Sequence, residues 1–440
     1  MILRVPDPQL TKPNKIVYGG QTLIDLTEDT VTPETLKQGV TAHDAAGEII
    51  TGTLVPSGGV VQESDINFYD YDGTLLHAWT LAELAEKTAL PELPTRDGLV
   101  CQGWNWPLAE LKATGRIMDV GPMYITNDGA TRLRITLLDG RLSPKVGLAL
   151  NGSAVIDWGD GSAATTLTGT DPATVVYTDA HTYPSAGDYV ISITVTGAAV
   201  VLGANSASTL LTGEGDLATA YLLALTEFNQ GSNLTFGASA LQGCTRMRAI
   251  SLSSAGNLAK NQFTECFLVR FLAVPSGIQR FESCFGSANL RALSLPPSVK
   301  AIGGYAITGA NALARVSLPD GLTSIEGGGI YGGAGMSEIS VGVNLDTISA
   351  DGFYGSRSVR AIKFNAKIRR IGARAFQNCV SMEIADFTAS TSVPQLLGAN
   401  AFTGCHASLE IRVPASLVDA WKAATNWATY ADHIVGVSTT

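Results

Sequence analysis

Hydrophobic residues recur along the second half of the chain with a period of about 22 residues. One large apolar position returns at this nearly constant spacing: Phe263, Phe285, Ile307, Ile330, Phe353, Phe376 and, after a slightly longer step, Phe402. Within each copy two apolar residues stand two apart, as Val316 and Leu318 do, so both point to the same side of a short strand. A turn follows, and further apolar residues come four and seven positions later, such as Leu322 and Ile325. This pattern predicts a solenoid.

A single copy is too small to be stable on its own. Ordering about 22 residues costs roughly 1 to 2 kcal/mol of backbone entropy each, whereas burying about six side chains returns at most roughly 1.5 to 3 kcal/mol apiece. The copies between residues 244 and 409 must therefore stack and share one core.

The period also predicts which strand residues point into that core. The inward pairs are Leu272 and Val274, Leu293 and Leu295, Val316 and Leu318, Ile339 and Val341, and Ile362 and Phe364. Ser317 lies on the other strand face and is expected to tolerate substitution by Ala. The first copy, with Ile250 and Leu252, has a longer loop, and the stretch after Met382 loses the spacing until Phe402.

The repeats resemble the BspA-like leucine-rich repeat. Its consensus has an aromatic residue, a small residue or Cys, a strand of the form L-x-x-I-x-L-P and then I-x-x-I, as in ARVSLPDGLTSI. The resemblance covers residues 241–412 and implies a solenoid for surface binding or adhesion, without chemistry.

The C-terminal residues predict a cap, which a solenoid needs to cover its last hydrophobic rung. From about residue 413 the chain predicts a helix that starts at a Pro and a closing strand over 434–437. The apolar stripe of that helix is Leu417, Ala420, Trp421 and Ala424. The segment resembles the ends of BspA-like proteins, which implies structural roles for Trp421 and Trp427.

Four cysteines share one repeat position. They are Cys244, Cys266, Cys379 and Cys405, where other copies carry Ala288, Ala310, Gly333 and Ser356. Cys is a small apolar residue that fits a tight turn, so we interpret these as buried thiols, with disulfides or a metal site as the alternative. Cys101 and Cys284 add no metal-ligand spacing, and we expect no metal and no cofactor.

Residues 142–203 predict a β-sandwich, because short alternating strands are broken by Gly, Pro, Asp and Asn turns. Three ordered pieces resemble the PKD-type immunoglobulin-like sandwich: WGDG at 158–161, HTY at 181–183 and GDYVISITV at 187–195. The resemblance implies that Trp158 and Tyr189 are core residues and that Asp157 and Asp160 form turns. A calcium site at these aspartates is the alternative, although two carboxylates are fewer than the roughly six to eight oxygens that calcium takes.

Residues 61–141 predict a separate small unit that resembles the β-grasp repeats of internalin-B-type surface proteins. It has a strand, a DG turn, a helix over about 81–88 and a strand entering QGWNW. Trp104 and Trp106 share a strand face and either pack inside the unit or stack on a sugar. The residues 127–129 predict a hairpin turn between the next two strands.

Residues 1–60 indicate where the protein is located. The segment from Gly39 to Thr53, GVTAHDAAGEIITGT, resembles a hairpin of tail-fibre and baseplate-associated proteins of phages that infect Gram-positive gut bacteria. The resemblance implies attachment to other tail or baseplate proteins, and a trimer is the expected homo-oligomer of a fibre. His43 beside Asp44 indicates a turn hydrogen bond rather than a catalytic pair.

Composition favours a modular, non-catalytic protein. Only 15% of the 440 residues are charged and the net charge is -10, which argues against a nucleic-acid or anionic-membrane surface. Apolar stretches are far shorter than the roughly 20 residues of a membrane span, and we expect no export signal and no anchor. Nucleophile-elbow, phosphate-loop and zinc-helix motifs are lacking, and Gly327–Gly335 indicates corner packing rather than a phosphate cradle.

These observations predict a mainly β, multi-domain protein that is not an enzyme. Its parts are a tail-attachment region at 1–60, a small β-grasp-like module at 61–141, a PKD-type sandwich at 142–203, and a leucine-rich-repeat solenoid with an αβ cap at 204–440. The main interpretation is a phage tail-tip or tail-fibre protein in the virion tail, whose repeats bind a host-surface glycan, wall polymer or protein. The alternatives are a bacterial cell-surface BspA-like adhesin and a surface-glycan depolymerase, which would need paired carboxylates in a groove.

Five arginines near the starts of the repeat strands are candidate receptor contacts: Arg248, Arg270, Arg291, Arg315 and Arg360. Successive rungs lie about 4.8 Å apart, so these side chains would form a column. Because Arg binds phosphate bidentately, the column suits a phosphate-rich wall polymer such as teichoic acid. The alternative is a solvated edge whose side-chain stems cover apolar surface.

Overall fold

The computed structural model describes residues 63–438 apart from short gaps, together with four strand backbones nearer the N-terminus. The gaps are 205–206, 215–219, 254–257, 259–260, 283–284, 287–289 and 310. The chain divides into two compact units, Met1–Gln62 and Glu63–Thr440.

The described residues of the first unit form two antiparallel strand pairs. Strand β1 (Lys15–Tyr18) pairs with β2 (Gln21–Asp25), and β3 (Thr41–His43) pairs with β4 (Ile49–Thr51). The second pair lies within the segment 39–53, which resembles a hairpin. The predicted His43–Asp44 contact lies outside the described residues.

Residues 63–126 form a small module, and this name is used for them below. Its elements are β5 (Ile66–Tyr69), β6 (Leu75–Trp79), α1 (Leu81–Glu86), β7 (Leu99–Trp104), α2 (Leu108–Thr114), β8 (Met118–Val120) and β9 (Pro122–Thr126). Strand β5 lies between β6 and β8, and β7 pairs with β9. Helix α1 begins at a capping box of Thr80 and Glu83. The buried Phe68 packs edge-on against Trp79 and Trp104, at ring-centroid distances of 4.7 and 5.1 Å.

The predicted hairpin across residues 127–129 is wrong, because the two strands beside this turn join different sheets. Strand β10 (Thr131–Leu137) pairs with β13 (Gly187–Val201), whereas β9 stays with β7. The strand at 131–137 therefore belongs with the following residues rather than with the small module.

An eight-stranded sheet connects the middle of the chain to the solenoid. Its other members are β11 (Lys145–Asp157), β12 (Thr165–Tyr177), β16 (Leu211–Thr212), β17 (Leu225–Asn229), β18 (Leu234–Phe236) and β19 (Ala249–Ser251). The strands β14 (Gly203–Ala204) and β15 (Ala207–Ser208) pair with each other. Strand β17 pairs with β10 on one side and, in parallel, with β19 on the other. Strand β19 is the first repeat strand and forms the edge of this sheet, and the next repeat strands pair in separate, shorter sheets.

The WGDG segment forms a tight corner as predicted. Trp158 is fully buried and stacks on His181 with a ring-centroid distance of 4.4 Å. Asp157 and Asp160 each accept a hydrogen bond from the backbone N–H two residues on. Asp160 also contacts His181 Nε2 at 2.8 Å, and its hydrogen bonds lower the pKa of this carboxyl to about 2 against the effect of desolvation. Tyr189 is half-buried against this core rather than inside it.

The solenoid has three columns of parallel strands. The strand face consists of β20 (Phe271–Ala273), β23 (Ala292–Ser294), β26 (Arg315–Ser317), β29 (Glu338–Ser340), β31 (Ala361–Lys363), β33 (Ile384–Asp386) and β35 (Glu410–Pro414). The second column consists of β21 (Arg280–Phe281), β24 (Ala301–Ile302), β27 (Ser324–Ile325), β30 (Thr347–Ile348), β32 (Arg370–Ile371) and β34 (Gln395–Leu396). The third consists of β22 (Phe285–Gly286), β25 (Ile307–Thr308) and β28 (Ile330–Tyr331).

The predicted inward positions fill the core. Of the ten strand residues, nine are buried, and Val341 is partly buried. The recurring large residue of each rung is also buried wherever its side chain is described, and Phe353, Phe376 and Phe402 stack face to face at 5.3 and 5.1 Å. The stretch after Met382 keeps its rungs, since β33 pairs with both β31 and β35.

Cys244, Cys266 and Cys379 are buried thiols as predicted, whereas Cys405 is only partly buried. Cys266 Sγ donates to the Leu241 carbonyl at 3.3 Å, and Cys379 Sγ donates to the Phe353 carbonyl at 3.2 Å. Ser356 Oγ makes the equivalent bond, donating to the Ile330 carbonyl of the preceding rung. Burial raises the pKa of the Cys244 thiol to about 12, so this group stays protonated.

The C-terminal residues close the end of the strand face. After β35 come two 3-10 turns, Ala415–Leu417 and Trp427–His433, with α3 (Val418–Ala423) between them, and β36 (Ile434–Val437) pairs with β35. Trp421 and Trp427 are fully buried, and both pack against Phe387 of the preceding rung. Ala420 is exposed, so its place in the predicted stripe is wrong, because the helix is short and only Trp421 is buried.

Candidate binding surface

The small module lies on the outward side of the strand face. The outward side chains of β20, β23 and β26 are therefore covered: Phe271, Ala273, Ala292, Ser294, Arg315 and Ser317. Phe271 is 1% exposed and its ring centroid lies 5.1 Å from that of Tyr69. A side chain at Gly121 would collide with Phe271 and Ala273, since a Cβ atom there would lie 2.5 Å from each. We call β20, β23 and β26 the covered rungs.

Polar side chains of the small module bind the backbone of the covered rungs. Trp106 Nε1 donates to the Leu295 carbonyl at 2.9 Å, and Asn105 Nδ2 donates to the Val274 carbonyl at 3.2 Å. Ser294 Oγ donates to Asn105 Oδ1 at 2.9 Å. Trp104 is 6% exposed and Trp106 is 1% exposed. The sugar-stacking alternative for these two residues is therefore wrong, because one fills the core of the module and the other fills its contact with the solenoid.

Arg315 is held by the small module and does not belong to an exposed column. Its guanidinium donates to Asp119 Oδ1 at 2.7 Å and to the Ser64 carbonyl at 3.0 Å. Asn67 Nδ2 donates to the same Asp119 oxygen at 3.0 Å. Burial raises the pKa of Asp119 to about 7, although Arg315 acts in the opposite direction. The receptor contact at Arg315 stays a prediction, but its guanidinium is already bound by the small module.

The other four candidate arginines are exposed. Arg270 and Arg291 occupy adjacent rungs, because the Arg291 N–H donates to the Arg270 carbonyl at 2.7 Å. Arg248 precedes β19, and Arg360 precedes β31 on a more C-terminal rung. The equivalent positions of the rungs between Arg291 and Arg360 are Ala314 and Ser337, so the column is interrupted. Its binding role stays a prediction.

The strand face is open beyond the covered rungs. On β31 the outward residues Ala361 and Lys363 are exposed. The outward residues of β33 and β35 are half-buried: Ile384, Asp386, Glu410 and Arg412. We call β31, β33 and β35 the open rungs. Their outward side chains are mostly charged, whereas those of the covered rungs are mostly small or aromatic.

A groove of about 700 Å³ runs across several rungs beside the second strand column. Its polar lining includes Lys300, Thr323, Asn344, Asp346, Lys367 and Arg369. Arg369 pairs with Asp346, and Lys367 donates to Asn344 Oδ1. Sequence reasoning missed this groove, although Lys300, Thr323, Asp346 and Arg369 occupy one position in four successive repeats and could have indicated one lining row.

The glycine-rich segment 327–335 forms repeat corners, as interpreted from the sequence. Gly328 and Gly332 have φ angles of 70°, which favour glycine. A Cβ atom at Gly335 would lie 1.9 Å from the Asn311 carbonyl oxygen. Among the described residues, no three His, Cys, Asp or Glu side chains are grouped so as to hold a metal ion. Within the same residues no helix is long and apolar enough to span a membrane.

Comparison with known proteins identifies the repeats. Residues 281–410 match the family model of the BspA type leucine rich repeat region in six copies. These residues are therefore BspA-type leucine-rich repeats that form a β-solenoid. A comparison with curated proteins returns no match.

Solved structures of leucine-rich-repeat proteins are similar to parts of the chain. One from Bacteroides ovatus is 18% identical over 49% of this chain and 66% of its own, with a TM-score of 0.29. One from T. pallidum is 23% identical over 31% of this chain and 60% of its own, with a TM-score of 0.24. A leucine rich cell surface protein from Faecalibacterium prausnitzii is 14% identical over 49% of this chain and 93% of its own, with a TM-score of 0.20. The chain thus spans about two thirds or less of the first two proteins.

Proposed function

We propose that the protein is a non-enzymatic binding protein that attaches to a surface through its leucine-rich repeats. The observation that carries this proposal is the division of the strand face: the small module occupies the covered rungs, and the open rungs present charged side chains to solvent. A solenoid offers a long surface with repeated contacts, which suits a repetitive ligand. The ligand class is a surface glycan, a wall polymer or a surface protein.

A bacterial cell surface is the location that the repeat family favours. In this proposal the chain is a BspA-like adhesin, the eight-stranded sheet with its WGDG corner is a PKD-like spacer, and the residues after β35 are a cap. The match of residues 281–410 to the BspA type leucine-rich repeat supports this location.

The second candidate is a phage tail protein. Residues 39–53 favour it through their resemblance to tail-fibre and baseplate-associated proteins, and the β3–β4 hairpin lies within this segment. In that case the region 1–60 would attach the chain to other tail proteins, a trimer would be the expected assembly, and the repeats would face the host. Immunogold electron microscopy with an antibody to the chain distinguishes the two, because gold on cell walls supports the adhesin and gold on virion tails supports the phage protein.

Binding of the purified full-length chain to whole bacterial cells tests the proposal itself. We expect saturable binding that an excess of unlabelled protein abolishes. Comparison at low and high ionic strength with the Arg248→Ala, Arg270→Ala, Arg291→Ala triple variant tests the arginine column, since exposed ionic contacts weaken with salt. If neither salt nor the triple variant lowers binding, the column is only a solvated edge. If no cell or isolated wall polymer binds the protein, the proposed function is wrong.

A further inference from the structure

Several solenoid corners contain two positions with a left-handed backbone. One column of such positions contains Tyr305, Gly328, Asp351 and Arg374, one in each of four successive rungs, with φ angles of 55°, 70°, 60° and 57°. Glycine adopts this conformation without steric cost, whereas a bulky side chain there is unusual. Tyr305 thus occupies a position where glycine would be the easier residue, as the next rung shows with Gly328.

The ring of Tyr305 lies on the surface and begins a row of three tyrosines. Tyr305 is 54% exposed, and its ring covers Gly328, where a Cβ atom would lie 2.7 Å from it. Its centroid is 5.8 Å from that of Tyr331. Tyr331 and Tyr354 are stacked at 4.9 Å with an angle of 7° between their planes. We call Tyr305, Tyr331 and Tyr354 the tyrosine row.

Hydrogen-bonding groups lie at one end of this row. Asn378 Nδ2 donates to the Tyr354 hydroxyl oxygen at 2.9 Å, so the proton of that hydroxyl can be donated elsewhere. Arg374 binds Asp351 through two bonds of 2.8 and 2.7 Å. This pair neutralises its own charge but keeps further donors and acceptors at the surface, because the Arg374 side chain is 51% exposed. On the other side a Cβ atom at Gly332 would meet no atom within 4 Å, so the space beside Tyr331 is open.

This combination suits a neutral, polyhydroxylated ligand. Tyrosine offers a flat apolar face with a polar edge and has few rotatable bonds to immobilise. A pyranose ring has a matching apolar face and a rim of hydroxyl groups. The cation at the end of the row is poorly suited to an anionic polymer, since Arg374 is already neutralised by Asp351. Tyr331 and Tyr354 cover each other's faces, so the exposed ring of Tyr305 offers the stacking face and the other two rings offer their edges and hydroxyl groups.

We propose that the tyrosine row is a binding site for a neutral oligosaccharide, with one sugar ring stacked on Tyr305 and with Asn378, Asp351 and Arg374 forming hydrogen bonds to its hydroxyl groups. This inference rests on the proposed binding function and names a ligand class and a site for it. The site is separate from the arginine column and from the outward residues of the open rungs.

The test uses the full-length chain and four neutral hexasaccharides: cellohexaose, xylohexaose, mannohexaose and chitohexaose. Isothermal titration calorimetry should detect at least one of them, and saturation-transfer NMR should show contact with tyrosine rings. The Tyr305→Gly variant should weaken that binding about tenfold or more, as loss of an exposed aromatic anchor does. Its Tm should not fall, because glycine relieves the left-handed backbone. Tyr354→Phe should retain stacking and lose only part of the affinity.

Tyr177→Ala is the matched control, since Tyr177 is 45% exposed and lies on β12, far from the repeats in the sequence. It should leave oligosaccharide binding unchanged. If none of the four hexasaccharides binds, or if Tyr305→Gly binds as well as the wild type, the inference is overturned. The cell-binding assay separates this result from the proposed function: a chain that binds cells but no hexasaccharide keeps the function and loses this site.

Discussion

The covered and the open rungs use one repeat in two different ways. Both bury the same inward residues, as Leu318 in a covered rung and Ile362 in an open rung show with exposed fractions of 0% and 1%. Their outward residues differ, because Ser317 is 6% exposed beneath the small module whereas Lys363 is exposed to solvent. The inward strand residues of a repeat therefore form the solenoid core. The outward strand residues differ according to whether the small module or solvent lies against them.

The ion pairs show the same difference. Arg315 of a covered rung pairs with Asp119 across the contact with the small module, and the two side chains are 15% and 5% exposed. Arg369 is 78% exposed and pairs with Asp346 of the preceding rung. A buried pair is costly to break because its partner is left without compensation, whereas an exposed pair contributes little. Arginines at repeat positions thus have different roles according to what covers them.

The largest effect is expected at the inward residues of both kinds of rung. Leu318→Ala and Ile362→Ala should each lower the free energy of unfolding by about 2 to 5 kcal/mol, through lost burial and a residual cavity. Urea unfolding followed by circular dichroism measures both. Val343→Ala is the control, since Val343 is 55% exposed and should change little. A much smaller loss at Ile362 would show that the open rungs are less tightly packed.

The next largest effect separates the two ion pairs. Arg315→Ala should lower the free energy of unfolding by about 3 kcal/mol, because it leaves Asp119 buried without its partner. Arg369→Ala should be close to neutral, because an exposed ion pair contributes little to stability. The same urea measurement checks both variants. Equal losses would mean that the small module does not shield Arg315 from water.

The pH dependence of stability sharpens the second prediction. The pKa of Asp119 is raised from 3.8 to about 7 in the folded chain, so its contribution to stability is present below pH 4 and is lost as pH rises through 7. A single proton gives a slope of at most about 1.4 kcal/mol per pH unit. Unfolding free energies measured between pH 4 and 7.5 should fall more steeply in the wild type than in Asp119→Asn. Parallel profiles would contradict the raised pKa.

The smallest effect concerns the outward serine. Ser317 Oγ donates to the Ile117 carbonyl of the small module, so Ser317→Ala should cost about 0.5 to 1.5 kcal/mol. This corrects the expectation from the sequence that the residue would tolerate Ala. Lys363→Ala, at the matching position of an open rung, should be close to neutral. Thermal unfolding measures both variants. Equal shifts in Tm would contradict this comparison.

The buried residues of the solenoid could be predicted from the sequence because they recur at a fixed spacing. Leu272, Leu293 and Leu318 are buried as the two-residue spacing requires. Cys266 and Cys379 are fully buried at the small-residue position of the repeat. Each of these positions is determined by the repeat itself, so neighbouring copies reveal it.

The covering of three rungs could not be predicted from the period, since it depends on a module that lies far away in the sequence. Only the outward strand residues indicate in the sequence which rungs are covered. Ala292 and Ser294 are small and uncharged in a covered rung, whereas Lys363 and Arg412 are charged in open rungs. The role of Trp106 was also not predictable, because a hydrogen bond from its ring to Leu295 leaves no local pattern.

The contact between the small module and the solenoid also has a consequence for how the chain folds. Trp106 meets Leu295 across 189 positions, and Arg116 meets Asp320 across 204. Contacts of such long range form slowly, whereas each rung needs only its neighbour about 23 residues away. We therefore expect the rungs to assemble first and the module to dock as a late step. A chain that is interrupted before this step would expose Phe271 together with the apolar side of the module, so docking of the module also removes an aggregation-prone surface.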